Sequence, residues 1–291
     1  MTGAITAGVD GTDESVAALG WAAREAVRRG LALRVVHAWR FQQYDTIGSV
    51  DRDSQERGAL GLAEEAARTV AARHPDLDVS TAAPEGVPAD TLAGAAADTE
   101  MLVIGSRGHG RVVGFLLGSV GRQVVAGATR PVVLVRSGDR PSDEAAGREI
   151  VVGQQGEPDD SAPALRFAFE TAAARSVTVR VVRAWNLPPL FAYSPGSMKI
   201  LDEAGGLVPY EESALAEAVR PWRERFPAVP VVEHLEMGSA GQVLLSVVGT
   251  AQLTVVGRRA HRSAVGARIG SVAYGMLHHA ECPVAVVPHA A

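Results

Sequence analysis

The sequence contains a single cysteine, Cys282, in 291 residues, which excludes an intrachain disulfide bond and suits a reducing compartment. It has no excess of basic residues, because its formal net charge is −5, so it lacks the overall positive charge of a nucleic-acid-binding protein. Long apolar runs are also missing, since stretches such as 101–104 fall far short of the ~20 residues of a membrane-spanning helix. The first residues show no basic segment followed by an apolar one, so no secretory signal is expected. These absences predict a cytoplasmic protein that binds neither nucleic acid nor a membrane.

The chain is an internal duplication. The apolar segment that ends at Gly105 recurs as the segment that ends at Gly257, and the Gly-Ser pair at 118–119 recurs at the same distance at 270–271. Further matched segments, in the same order along both halves, are 8–11 with 153–156, 37–39 with 183–185, and 131–135 with 283–287. Anchors that keep their order and drift only through local insertions are hard to obtain by chance. Two related domains are therefore expected.

The boundary between the domains is a polar stretch with Gly and Pro at 137–147, a composition typical of a linker. We predict a first domain at 1–138, a linker at 139–147 and a second domain at 148–291. The acidic pair Asp143 and Glu144 within the linker is expected to be solvated.

Short apolar strands alternate with helices in each half. In the first half the pattern predicts strands at 4–9, 31–39, 77–82, 101–105 and 131–136, and helices at 13–29, 51–73, 89–97 and 119–127. In the first helix, Val16, Leu19, Ala23 and Val27 are spaced to form one buried face. Apolar strands separated by helices imply a parallel sheet covered on both sides. The predicted fold is α/β, with two tandem Rossmann-like units, each a five-stranded parallel sheet with helices on both faces.

A glycine-rich loop follows the fourth predicted strand, at the edge where sheets of this kind bind ligands. Gly105 and Gly108 would let the backbone turn and approach a ligand without a Cβ in the way. Gly118 and Ser119 begin a helix, whose unpaired N–H groups and dipole favour an anion. The loop is therefore predicted to hold a phosphate.

The loop has the spacing Gly-x2-Gly-x9-Gly-Ser, which resembles the ATP-binding motif of the universal stress protein family. The resemblance extends to the segments 9–15, 35–39 and 131–135 and covers nearly the whole chain as two copies. It implies that ATP binds with its adenine near the first two strand ends and its phosphates in the glycine loop. It also implies that two units pair through their last strands, 131–136 and 283–287. The short linker favours pairing within this chain, and a homodimer is the alternative.

The resemblance assigns roles to individual residues. Asp10 resembles the acidic residue near adenine and ribose, and Gly8 and Val9 would line the nucleotide through their backbone. The other predicted binding residues of the first half are Gly105, Ser106, Arg107, Gly108, His109, Gly110, Arg111, Gly118, Ser119 and Val120. Those of the second half are Gly153, Gly257, Arg258, Arg259, Gly270, Ser271 and Val272. His109 either contacts a phosphate or is solvated.

The second half departs from the pattern at two positions. Gln155 stands where Asp10 stands, and Ala260 stands where Gly108 stands. A glutamine can donate and accept hydrogen bonds but cannot supply a carboxylate, and an alanine is strained where φ must be positive. The second domain is therefore expected to have an altered nucleotide site that binds more weakly than the first.

Other ligand classes fit less well. The run Gly-His-Gly-Arg-Val-Val-Gly at 108–114 is close to a dinucleotide fingerprint, but that fingerprint belongs after the first strand of a sheet. No Gly-x4-Gly-Lys-Ser/Thr segment occurs, which excludes a P-loop. Trp39 and Trp185, at the second strand ends, fit packing better than ligand stacking. His278, His279 and Cys282 lack a fourth ligand at suitable spacing, so no metal site is predicted.

The sequence does not indicate an enzyme. No Ser-His-Asp arrangement, paired catalytic carboxylates or metal cluster emerges, and Asp10 is expected near the ribose rather than the γ-phosphate. ATP is therefore predicted to act as a conformational ligand of a non-catalytic stress-response regulator. Two alternatives stay open, a slow ATPase that uses Mg²⁺ and an interaction scaffold without nucleotide. The sequence does not identify a protein partner.

Overall fold

A computed structural model describes residues 3–43, 51–106, 118–139, 144, 148–187, 206–259 and 269–289. Its strands are β1 (Ala4–Gly8), β2 (Ala32–Val36), β3 (Val79–Ala82), β4 (Met101–Ser106), β5 (Val132–Arg136), β6 (Glu149–Gln154), β7 (Val179–Trp185), β8 (Val231–Met237), β9 (Ala251–Arg259) and β10 (Val284–His289). Its helices are α1 (Asp13–Arg29), α2 (Arg52–Ala71), α3 (Pro88–Ala95), α4 (Ser119–Gly127), α5 (Ala162–Arg175), α6 (Val208–Arg225), α7 (Ala240–Val247) and α8 (Ser271–His279). A 3₁₀ turn at Pro158–Ser161 precedes α5, and another at Val248–Thr250 follows α7.

The strands in the described part of the chain form one sheet, in the order β3-β2-β1-β4-β5-β10-β9-β6-β7-β8. Within each half the strands are parallel, and the first strand lies between the second and the fourth. The halves meet at β5 and β10, which pair antiparallel with Val133 opposite Ala285. The predicted fold class is confirmed, and the last strands of the two halves pair within this chain.

Helices cover both faces of the sheet. On one face α1, α2, α5 and α6 bury side chains such as Phe169 in a shared apolar core. On the other face α3, α4, α7 and α8 form a second core around residues such as Leu92 and Met276. Neighbouring strand residues alternate between the two cores, so that Val255 belongs to the first and Val256 to the second. None of the helices in the described ranges is long and apolar enough to cross a membrane.

The first helix begins and ends where the sequence predicts, but it buries a different face. Thr12 is the N-cap and accepts a hydrogen bond from the N–H of Ser15, while Gly30 ends the helix with a φ of 62°. The prediction of one face containing Val16 and Val27 was wrong, because these side chains are 56% and 51% exposed. The buried stripe instead contains small residues: Ala18, Ala22 and Ala26. Small side chains let the helix lie close to the strands, which a search for large apolar residues does not detect.

The linker is not solvated at Glu144, contrary to the prediction. The side chain of Glu144 is 4% exposed and accepts hydrogen bonds from Arg24 and Arg28 of α1. Asp139 also contacts α1, with 2.8 Å between its Oδ2 and Nη2 of Arg24. Burial raises the pKa of Glu144, but the arginines outweigh burial and hold the pKa below its usual value. Ion pairs therefore fold this part of the linker onto α1, whereas Asp143 lies outside the described residues.

A buried ionic cluster also joins the two halves. Glu25 of α1 is fully buried, and its Oε2 lies 2.8 Å from Nη2 of Arg175 in α5. Arg29 donates to Oε1 of Glu25 at 2.6 Å and to the hydroxyl of Thr171 in α5 at 2.7 Å. Arg175 further donates to the side chain of Gln252 in β9. Burial raises the pKa of Glu25, but the two arginines lower it more, so the carboxylate stays ionised in the interior.

Candidate functional site

The first half has a cavity of about 210 Å³ at the carboxyl ends of its strands. It lies between the ends of β1 and β4 and the N-termini of α1 and α4, where the strand order reverses. The predicted binding residues in its lining are Gly8, Val9, Asp10, Gly105, Gly118, Ser119 and Val120. Residues from two distant parts of the sequence thus meet at one edge of the sheet.

The second half has an equivalent cavity of about 610 Å³. It lies at the ends of β6, β7, β9 and β10, next to the N-terminus of α8. Its lining includes every binding residue predicted for this half: Gly153, Gly257, Arg258, Arg259, Gly270, Ser271 and Val272. The half expected to have the weaker site therefore contains the larger cavity among the described residues.

Some predicted residues do not reach these cavities or cannot be placed. Ser106 does not line the first cavity, and its hydroxyl donates instead to the carbonyl oxygen of Val135 at 3.2 Å. The remaining predicted residues of the first loop, together with Ala260 of the second, lie outside the described residues: Arg107, Gly108, His109, Gly110 and Arg111. The described lining of each cavity therefore consists of residues from strand ends and from the neighbouring helices.

Corresponding residues form the apolar wall of each cavity. Leu92 of α3 lines the first cavity, and Leu244 of α7 lines the second. A Cβ added to Gly8 would lie 3.0 Å from a methyl of Leu92, and one added to Gly153 would lie 3.2 Å from a methyl of Leu244. Because Gly8 and Gly153 have no Cβ, these leucines can pack close to the first strand of each half and form the apolar wall of each cavity.

The N-termini of α4 and α8 open onto the two cavities. Gly118 and Gly270 are their N-caps, and neither helix has a side-chain hydrogen bond at its cap. The backbone N–H groups of each first turn are thus available to a ligand, and the helix dipole favours an anion there. Gly270 has a φ of −62°, and a Cβ built on it would meet nothing within 4 Å, so the fold itself does not require glycine there.

Gly105 has a packing role in addition to the predicted one. A Cβ at this position would lie 2.6 Å from the carbonyl carbon of Glu14 and 2.7 Å from its oxygen. The glycine is therefore required by the close approach of α1, and not only by a ligand. Its counterpart Gly257 faces a side chain instead, since an added Cβ would lie 3.3 Å from the ring of His289.

The acidic residues of the two cavities come from different positions. Oδ1 of Asp10 accepts hydrogen bonds from the N–H of Thr12 at 3.1 Å and from its hydroxyl at 2.6 Å. In the second half Asp160, from the 3₁₀ turn before α5, lines the cavity together with Gln155. Its Oδ2 accepts a hydrogen bond from the N–H of Glu157 at 3.2 Å. Sequence reasoning missed Asp160 because it compared only matched positions.

Positive charge distinguishes the second cavity from the first. Arg258 and Arg259 line it, whereas the described lining of the first cavity contains carboxylates, Asp10 and Glu14, and no basic side chain. Arg259 is 53% exposed, with its Nη2 3.6 Å from Oδ2 of Asp160. Arg258 is only 5% exposed. Among the described lining residues, basic side chains that attract anions therefore belong to the second cavity.

A buried polar network supports the floor of the second cavity. Gln154 is 3% exposed, and its Oε1 accepts a hydrogen bond from Nη1 of Arg183 at 2.6 Å. The same arginine donates to the carbonyl of Gly156 at 2.9 Å and to Glu211 of α6 at 2.6 Å. In the first half, Val9 occupies the position of Gln154 and His37 that of Arg183, and Nδ1 of His37 lies 2.7 Å from the carbonyl oxygen of Val9. The network fixes the turn after β6, and its alignment with an apolar residue hid it from sequence reasoning.

Two residues considered as ligand contacts, Trp39 and Cys282, have structural surroundings. Trp39 is 8% exposed and its Nε1 donates to the carbonyl of Ala83 at 3.0 Å, as a packing residue would. Cys282 is buried beside the hydroxyl of Thr254 at 3.1 Å. Within the described ranges, no three His, Cys, Asp or Glu side chains lie together in the way a metal site requires.

The architecture defines a class of proteins. The sheet consists of two parallel, Rossmann-like halves, each with a cavity at the reversal of strand order and an uncapped helix N-terminus beside it, as in tandem α/β domains with a carboxyl-edge site. The model of the universal stress protein family matches this chain twice, at residues 1–136 and 147–288. The chain therefore belongs to the universal stress protein family.

The chain is also similar to individual proteins of known sequence or structure. A universal stress protein of Mycobacterium tuberculosis is 30% identical over 289 residues, which cover 97% of this chain and 96% of that relative. The crystal structure of a universal stress protein from Archaeoglobus fulgidus superimposes with a TM-score of 0.72 and 18% identity over 98% of both chains. A shorter universal stress protein, solved in complex with cAMP, matches 47% of this chain with 24% identity and a TM-score of 0.37.

Proposed function

We propose that this protein binds ATP in the cavity of each half and acts as a non-catalytic stress-response regulator. The observation that carries the proposal is the N-terminus of α8, which opens at Gly270 onto a cavity with an apolar wall. An N–H-lined helix start suits phosphates, and an apolar wall suits a planar base. A nucleotide has both a phosphate group and a planar base.

The size of the second cavity suits a whole nucleotide. About 610 Å³ lies within the range of roughly 300–1,000 Å³ of small-molecule sites, whereas about 210 Å³ lies below it. In the first half, Asp10 and the start of α4 would contact the ribose and phosphates. The second half is therefore proposed to bind ATP at least as well as the first.

A conformational function suits the first cavity better than catalysis. The carboxylate of Asp10 is engaged by both donors of Thr12, which fixes it as part of the turn before α1. Slow, Mg²⁺-dependent ATP hydrolysis is a second candidate, because Asp10 and Glu14 supply the carboxylate oxygens that Mg²⁺ prefers. In both cases ATP stabilises the folded chain by mass action. A cytoplasmic location is proposed because the chain can form no internal disulfide.

The experiment is a direct search for the nucleotide. Protein purified without added nucleotide is denatured, and the released small molecules are identified by mass spectrometry, while thermal melting is followed with added ATP. We expect an adenine nucleotide in the released fraction and a higher Tm with ATP. The control is the double variant Ser119→Glu with Ser271→Glu, which places a carboxylate at both helix starts. Absence of nucleotide together with an unchanged Tm in the unmodified protein would contradict the proposal, and phosphate release over time would favour the ATPase.

A further inference from the structure

Arg258 of β9 reaches from the second half of the chain to the first. Its Nη2 donates a hydrogen bond to the carbonyl oxygen of Ala128, the residue that ends α4. Arg258 and Ala128 are each only 5% exposed. A buried carbonyl oxygen at a helix end needs a donor, and here the donor is a cation from the other half.

The antiparallel pairing of the last strands explains this contact. Val286 of β10 lies opposite Val132 of β5, and Pro288 of β10 lies beside Arg258. The carboxyl ends of β9 and β10 therefore lie next to the start of β5, which follows α4 in the chain. A long side chain at position 258 can thus reach the end of α4 across the boundary between the halves.

The duplicated frame does not require an arginine at this position. The corresponding residue of β4 is Ser106, whose hydroxyl donates to the carbonyl oxygen of Val135 in its own half. β4 pairs with β5 in parallel, as β9 pairs with β10. Arg258 therefore adds a contact with the first half that strand pairing alone does not need.

α4 is a short helix whose last turn carries no basic residue of its own. It has nine residues, and its buried side chains are those of Val124 and Val125. The last turn of α8, by comparison, contains His278 and His279. Because the carbonyl oxygens at a helix C-terminus carry partial negative charge, a cation there stabilises the helix end. For α4, Arg258 supplies that cation.

The other end of α4 belongs to the first cavity. Gly118 and Ser119 line that cavity, and no side chain caps the first N–H groups of the helix. A hydrogen-bonded helix of this length is a stiff body, so the position of its last turn also determines where its first turn points. A contact at Ala128 therefore acts on the anion-binding end of α4.

We propose that Arg258 is a positioning residue for the first cavity, because it holds the C-terminus of α4 from the second half and thereby orients the N–H groups at the start of that helix. The inference rests on the proposed nucleotide binding. It adds that the affinity of the first half for its ligand depends on a side chain of the second half.

The test must report each half separately, because Arg258 also lines the second cavity. Hydrogen exchange of the full chain is followed by mass spectrometry at increasing ATP concentrations. Peptides that contain α4 report the first cavity, and peptides that contain α8 report the second. In Arg258→Gln, the ATP concentration that half-protects α4 should rise by about 3- to 30-fold, as loss of coupling through a packed contact does. Arg258→Lys, which keeps the charge, should recover part of the affinity.

The matched control is Arg259→Gln. Arg259 lines the same cavity but is half-exposed, and its Nη2 lies 3.6 Å from Oδ2 of Asp160 in its own half. This variant should leave the half-protection of α4 unchanged, whatever it does to α8. Arg258→Ser, which introduces the residue found at this position in β4, provides a second neutral variant if the glutamine variant does not fold.

The outcomes separate this inference from the proposed function. If ATP protects α4 in the unmodified protein and the half-protecting concentration is the same in the neutral variants, Arg258 is merely structural and the inference is wrong, even if all helices exchange faster. An equal rise in Arg259→Gln would also overturn it, since that residue does not hold α4. If ATP does not protect α4 in the unmodified protein, the proposed function fails for the first half, and the inference fails with it.

Discussion

At the end of β4, Gly105 lies against the backbone of Glu14, whereas at the end of β9 the corresponding Gly257 faces only the side chain of His289. The difference begins in the helix that follows the first strand of each half. In the first half α1 starts directly at Asp13, and in the second half the 3₁₀ turn Pro158–Ser161 precedes α5. The backbone of the helix start thus lies closer to the end of the fourth strand in the first half than in the second. The cavities measure about 210 Å³ in the first half and about 610 Å³ in the second.

The charges of the two cavities differ in the same sense. The described lining of the first is acidic through Asp10 and Glu14, and that of the second is basic through Arg258 and Arg259. The duplicated frame of glycines and helix starts is common to both. A repeat can thus keep its backbone frame while the charged side chains around it differ between the two copies.

The largest expected effect concerns a pair of matched glutamates that the two halves use differently. Glu25 is fully buried with Arg29 and Arg175, while its counterpart Glu170 forms a surface pair with Arg166. Glu25→Gln leaves two arginines without a counter-charge and should lower the free energy of unfolding by about 3–5 kcal/mol. Glu170→Gln, the control, should lower it by less than about 1 kcal/mol. Urea denaturation of both variants measures the difference, and equal effects would show that the cluster does not hold the halves together.

The same carboxylate predicts the pH dependence of stability. Because arginine contacts hold the pKa of Glu25 below its unfolded value of ~4.3, its contribution is complete above that pH and is lost as the pH falls towards the folded pKa. The free energy of unfolding of the unmodified protein should therefore fall more steeply with acidification than that of Glu25→Gln. If the free energy of unfolding fell equally steeply with acidification in both proteins, the assignment of an ionised, buried Glu25 would be contradicted.

The next effect concerns the matched glycines. Gly105→Ala forces a methyl into the backbone of α1, and we expect a loss of roughly 1–3 kcal/mol, as overpacking causes. Gly257→Ala meets only a movable histidine ring and should cost less than about 1 kcal/mol. Thermal and urea unfolding of the two variants compare them directly. A larger loss of unfolding free energy in Gly257→Ala would contradict the closer approach of the helix start to the fourth strand in the first half.

Much of the fold could be predicted from the sequence because it depends on periodic patterns. The bounds of α1 and α4, the strand segments and the duplication follow from apolar spacing and cap residues. The exposure of Val16 and Val27 could not be predicted, since alanines rather than large side chains set the buried face. The burial of Glu144 depends on arginines more than a hundred residues away in the sequence, which local composition cannot reveal.

The candidate site was predictable only where the two halves match. The glycines and helix starts were found because the repeat aligns them, and both sets line cavities. Asp160 stands where the first half has Ser15, which supplies no carboxylate, so alignment could not suggest it. The network of Gln154 with Arg183 stands where His37 contacts the carbonyl oxygen of Val9 in the first half, and only three-dimensional contacts show it. The relative sizes of the two cavities could likewise not be predicted from the residues that stand at the positions of Asp10 and Gly108 in the second half.

The most direct measurement of the central claim, that both halves bind ATP at their helix starts, is calorimetric titration of ATP into three proteins. These are the unmodified chain, Ser119→Glu and Ser271→Glu, whose substitutions are exposed and favourable to the helix dipole, so that the fold is retained. We expect two ATP molecules per unmodified chain and one per variant. Charge repulsion from the introduced glutamate should reduce the affinity of the altered site for ATP at least about tenfold. A stoichiometry that neither substitution changes, or no binding to the unmodified chain, would contradict this claim.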